Sequence, residues 1–129
     1  LEDAIASYTD SWPWDDKLYF GGPVSRLSLF LLHTEDFSSS NTFYVNNSVL
    51  ISSDKLMMDK IANGDKPRHY KFLTGRTSWE PGQLNRELTK TNLWLTCDSN
   101  ERIIFETEIE HMWEQAIDLC AQQTMNQYF

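Results

Sequence analysis

Residues 19–34 read YFGGPVSRLSLFLLHT, two glycines and a proline set between a short apolar run and a long one. Glycine supplies positive φ and close backbone approach at little steric cost, and proline fixes φ while removing a donor. Gly21-Gly22-Pro23 therefore predicts a sharp turn against a packed sheet. Strands are predicted on either side, over Lys17–Phe20 and Leu27–His33. The second is apolar at successive positions, the pattern of a strand buried on both faces. A phosphate cradle, the other use of paired glycines, needs GxGxxG spacing or a lysine-bearing helix behind it, and GGPV has neither. The stretch speaks for a packed sheet rather than a phosphate site.

Outward from it, Leu1–Tyr8 suits a short helix and SWPWDD an extended loop, since Pro13 turns Trp12 away from the helical region. Thr42–Val45 and Val49–Ile51 predict a hairpin about Asn46-Asn47, a pair that tolerates left-handed backbone. Ser53 is the predicted N-cap of a helix running to Asn63 and ended by Gly64, with Met57 and Ile61 one turn apart on its buried face. His69–Thr74 alternates as a strand, Tyr70 and Phe72 on one side. Pro81 in a first turn and the Leu84/Leu88 pair predict a helix over Pro81–Thr91. Leu93–Leu95 opens a strand that ends near Cys97, and Ile103–Phe105 is a further short apolar piece. The last helix is the plainest. Thr107 and Glu110 have capping-box spacing, and Ile109, Met112, Trp113, Ala116, Ile117 and Cys120 form one apolar stripe. The stripe predicts that Trp113 and Cys120 are buried, and Trp79 and Trp94 are expected to be packing groups too.

The 129 residues suit a single domain, 1–129. Eleven Lys and Arg against 19 Asp and Glu leave a net charge of −8, which opposes the field that phosphate binding uses, so nucleic acid is a disfavoured partner. Lys66, Arg68, His69 and Lys71 make one local basic cluster, but Asp65 adjoins it and no aromatic ladder follows. Two cysteines without a CxxC are too few for a disulfide framework, and a reducing, cytoplasmic setting is predicted. Leu27–Leu32, the longest apolar run, falls far short of the ~20 residues of a spanning helix. The acidic opening LEDAIASYTD lacks the basic region of a signal peptide. Neither a membrane nor secretion is expected.

LYFGGPV (18–24), LHT (32–34), WEPGQLNREL (79–88), NLWLT (92–96), IIF (103–105) and MWEQAI (112–117) resemble, in order and spacing, the YqgE/AlgH family of bacterial proteins. The resemblance runs from about Tyr19 to Leu119. It implies a compact α/β (α+β) domain with a small, strongly bent mixed sheet or barrel surrounded by helices. It also implies a family without an established biochemical activity, one of whose members is named for a regulatory effect on alginate production. The family's usual N-terminal portion is missing ahead of Leu1, so the chain is expected to be the later two thirds of such a fold, either part of a longer product or paired with a second copy over its sheet. Arg76 and Ser78 stand where the family commonly has an aromatic and a glycine.

His33, near Glu35 and Asp36, could act as a general acid or base held by a carboxylate, with Thr34 or a serine of Ser38–Ser40 as nucleophile. No GxSxG elbow accompanies it. Glu106, Glu108, Glu110, His111 and Glu114 show neither HExxH nor calcium-loop spacing and read as a solvated acidic face, so no metal and no cofactor are predicted. The expectation is a binding or regulatory module without catalysis. Gly21, Gly22, Pro23, His33, Trp79, Gly82 and Gln83 would line one surface for a protein or a small anionic ligand, since turns and helix starts offer backbone N–H groups. A hydrolase centred on His33 and a transcriptional regulator are the alternatives, and a homo-oligomer is expected if the sheet is uncovered.

Overall fold

The computed structural model describes residues 17–90, 94–98 and 100–128. They belong to two compact units, 1–78 and 79–129. The helix expected over Leu1–Tyr8 and the SWPWDD loop lie outside the described residues.

Among the described residues of the first unit a five-stranded mixed sheet carries one helix: β1 (Leu18–Phe20), β2 (Val24–Thr34), β3 (Thr42–Tyr44), β4 (Val49–Ser52), α1 (Lys55–Ala62) and β5 (Tyr70–Arg76). The strand order is β1-β5-β2-β4-β3. β1 runs parallel to β5, while β2 is antiparallel to β5 and β4, and β3 to β4. Mixed α/β architecture is thus what the chain adopts.

The glycine turn does what its composition predicts. Gly21 donates its N–H to the Thr74 carbonyl at 2.7 Å. A Cβ on Gly22 would fall on the Arg76 carbonyl group, and one on Gly75, whose φ is +73°, on the Gly22 carbonyl. The two glycine segments pass too closely for any side chain. Directly after the turn, Ser25 takes a φ of 52°, and the β2–β5 register shifts between Val24 and Leu29. This is a bulge, which bends β2 before it enters the sheet.

Beyond the bulge β2 alternates. Leu29 and Leu31 join Phe37, Met57, Met58, Ile61 and Phe72 in the core, with Leu18 and Tyr70 packed against them, and His33 is equally buried. Phe30 and Leu32, on the opposite face, are only half-buried. The expectation of full burial on both faces is corrected accordingly: apolar residues at successive positions leave each face free to be covered or open, and among the described residues this one is only partly covered.

The hairpin about Asn46-Asn47 forms as predicted, and one local expectation, the helix cap, is corrected. The hairpin turn needs no left-handed residue, because the Asn46 side-chain oxygen accepts from the N–H groups of Ser48 and Val49, both at 2.8 Å. The cap of α1 is Asp54 rather than Ser53. Its backbone is extended and its carboxylate accepts from the Met57 N–H at 2.8 Å. Met57 and Ile61 lie on the buried face of α1 as predicted.

The second unit contains α2 (Gln83–Thr89), a π-helical stretch (Arg102–Glu106) and α3 (Ile109–Tyr128). Ile103–Phe105 therefore belongs to a helical turn, and residues 94–98 form no strand. An apolar triplet becomes a strand only where another edge can satisfy its backbone. On α3, Cys120 is buried, but Trp113 and Ile109 are 73% and 53% exposed. The expected burial of Trp113 is corrected: a stripe at helical spacing marks a face, and among the described residues of this unit only the short π-helical stretch and the 94–98 segment pack on α3, leaving the ring exposed. Trp79 is half-buried and meets Trp94 edge-on at 5.5 Å. Among the described residues no helix is long and apolar enough to cross a membrane.

Candidate functional site

The open face of the sheet forms a groove of about 520 Å³, within the ~300–1,000 Å³ range of small-molecule sites. Phe30 and Leu32 of β2, Phe43 of β3, Ile51 of β4 and Leu73 of β5 make its floor. They converge because the antiparallel register sets Phe43 opposite Ile51, Leu32 opposite Ile51, and Phe30 opposite Leu73. Polar groups lie at its margins: Asn41, Ser53, Thr77 and the cationic Arg76, with Gly21 and Gly75 supplying bare backbone.

The opposite face holds a buried polar chain centred on His33. Its Nδ1 lies 2.7 Å from the Thr34 carbonyl, which can only accept, so Nδ1 carries the proton. Nε2 is then free to accept from Ser52 Oγ at 2.8 Å. Ser52 Oγ in turn lies 2.7 Å from Thr42 Oγ1, which accepts from the Ser39 N–H at 2.8 Å. Burial pushes the His33 pKa below its ordinary value, against smaller upward pulls from the Thr34 carbonyl and the Asp36 charge. A neutral ring with this tautomer could receive a proton from Ser52. Both side chains are nonetheless wholly shut off from solvent, and the arrangement as folded locks β2 to β4 and β3.

Two of the hydroxyls considered from sequence are otherwise engaged. Thr34 donates to Asp36 at 2.5 Å and Ser39 to Asp54 at 2.6 Å. Ser52 escaped the sequence reading because it meets His33 only through strand pairing across 19 positions. The basic cluster is dispersed into local contacts: Arg68 pairs with Glu35 at 3.3 Å, and Lys71 lies 5.0 Å over the Tyr19 ring, burial lowering its pKa.

Of the candidate ligand-binding residues, Gly21 lines the groove. Gly22 is buried beside it and Pro23 is exposed at the turn. His33 points to the core. Trp79, Gly82 and Gln83 belong to the second unit, where Gly82 opens α2 with a φ of 80°. There the Gln83 side chain accepts from the Glu80 N–H at 2.9 Å, so this donor is already occupied. Among the described residues no cluster of three metal-ligating side chains occurs.

A family model described as DUF179, AlgH-like, matches residues 1–125. The chain belongs to this AlgH-like family. The AlgH-like match reaches further toward the N-terminus than the motifs quoted above. A UPF0301 protein of Rickettsia africae (strain ESF-5) is 39% identical over 100 residues, which are 78% of this chain and 52% of that protein. A UPF0301 protein of Rickettsia typhi (strain ATCC VR-144 / Wilmington) is 37% identical over the same shares. The solution structure of the AlgH protein from Pseudomonas aeruginosa is similar with a TM-score of 0.70 and 31% identity, covering 80% of this chain and 53% of that one. The chain thus spans about half the length of the curated relatives it matches.

Proposed function

We propose that this AlgH-like chain is a non-catalytic binding module of the cytoplasm, serving a regulatory role, and that the groove on the open sheet face receives a ligand with an apolar body and an anionic end. The observation that supports it is the groove itself: five apolar side chains from four strands form the floor, and Arg76 stands at the margin of a chain whose net charge is −8. Apolar area would supply the affinity, and the guanidinium would orient the anionic end. The reducing compartment is inferred from the sparse cysteines.

Titration with anilinonaphthalene sulfonate, an aromatic body bearing one anion, tests this reading. A saturable site should weaken by about tenfold or more in Arg76→Gln, as expected for loss of one hydrogen bond to a charge. It should be abolished in Leu32→Gln while the far-ultraviolet circular dichroism stays native. Equal binding by all three proteins would refute it.

A hydrolase using Ser52 and His33 is the second reading, favoured by their 2.8 Å alignment. Covalent labelling of Ser52 by a fluorophosphonate would support it, and full resistance of the folded protein would leave the pair a structural role.

A further inference from the structure

We propose that β3 is a self-association edge, and that its partner is the β3 strand of a second copy of this chain. Among the described residues β3 pairs only with β4. The Ser53 N–H reaches the Asn41 carbonyl at 3.0 Å and the Val45 N–H the Val49 carbonyl at 2.9 Å, so Asn41 and Val45 turn their backbone inward. By the two-residue period Phe43 does the same, and Thr42 and Tyr44 direct N–H and C=O away from the sheet. The edge is also apolar: Phe43, Tyr44 and Val45 are 62%, 75% and 56% exposed.

Charge selects a second copy as the occupant. Two molecules of net charge −8 repel wherever their acidic surfaces approach. The 17 residues from Phe37 to Ser53, which include β3, β4 and their turn, contain no charged side chain at all. The other outer strand, β1, follows directly on Asp15, Asp16 and Lys17, the kind of charge that keeps edges apart. β3 has no lysine, proline or bulge of its own. Glu35, Asp36, Lys60 and Asp65 gather beside Tyr44, so the uncharged length is the strand edge itself, and it is along that edge that like-charged copies can meet.

The geometry of such a pair follows from the register. About a two-fold axis at Phe43, Thr42 of one copy and Tyr44 of the other exchange both backbone bonds. Phe43 faces its symmetry mate in the close, non-hydrogen-bonded position, with Cα atoms ~4.5 Å apart. Phe43 also floors the groove, so the two grooves run together across the axis.

Sedimentation of the whole chain over a concentration series should show the mass rising toward twice the monomer value. Tyr44→Pro, which removes an outward donor at a position an edge strand tolerates, should stay monomeric with unchanged circular dichroism. As a measurement independent of that variant's folding, Phe43→Cys should form a disulfide between the introduced thiols of two copies under glutathione disulfide, identified by peptide mapping, and Phe20→Cys on β1 should not. A concentration-independent monomer, association of Tyr44→Pro equal to wild type, or linking of the Phe20→Cys variant through its introduced thiol as readily as of Phe43→Cys would each overturn the proposal.

Discussion

His33 holds its proton toward the Thr34 carbonyl and leaves Nε2 to accept from Ser52; protonating the ring would place a charge in the core and reverse the hydroxyl chain behind it. Because burial lowers its pKa in the folded state, the unfolded chain binds more protons at mildly acidic pH. Stability from this group is complete above the unfolded value, near 6.5, and falls as pH drops below it toward the depressed folded value. The slope cannot exceed about 1.4 kcal/mol per pH unit for one proton. Urea midpoints measured from pH 7.5 to 5 should therefore decline in the wild type and lose that part of the decline in His33→Gln. The glycine crossing is a second residue-scale test. Gly75→Ala forces a side chain into a φ of +73° and onto the Gly22 carbonyl, so it should destabilise by about 1–3 kcal/mol from backbone strain alone, read from the same midpoints.

At α1 the two candidate caps separate cleanly. Asp54 accepts from the Met57 N–H and also holds the Ser39 hydroxyl and the Asn41 N–H. Asp54→Ala should cost about 1–2 kcal/mol and Ser53→Ala under about 0.5 kcal/mol, by chemical denaturation. At α3, Trp113→Ala should cost less than about 1 kcal/mol because the ring is 73% exposed. Phe72→Ala, in the core, should cost about 3–5 kcal/mol. These contrasts mark what the sequence could disclose. β2, β5, the hairpin and α1 were legible because period and turn chemistry are local, and the bulge-prone glycine turn announced itself by composition. Which apolar face is covered depends on what packs over it, so the exposure of Trp113 and the openness of Phe30 and Leu32 were not legible. The groove itself was hidden for the same reason: of the first-unit candidates Gly21 lines it while His33 lies on the opposite face of the sheet, and its floor assembles from four strands distant in sequence. That 94–98 form no strand likewise depends on pairing, since among the described residues of the second unit no strand edge occurs beside them.

For the whole molecule, charge sets the strongest expectation. With −8 net charge, and with Arg68 tied to Glu35 and Lys71 set over Tyr19, duplex DNA should bind no tighter than about 10⁻⁶ M at physiological salt. A gel-shift titration checks this, and a nanomolar shift would restore the transcriptional reading. The strand order carries a different consequence, for the time course of folding. β5 lies between β1 and β2 in the sheet, yet it is the last strand of its unit in the chain. The pairs Leu18–Phe72 and Leu31–Phe72 both close on it. Leaving a ribosome, β3, β4 and α1 can form local structure early, while β1 waits for a partner some fifty residues downstream. Loop-closure entropy of this size slows sheet formation. A nascent chain ending before Tyr70 would hold Leu29 and Leu31 with Phe72 still absent from the core, the stage at which a chaperone would find them.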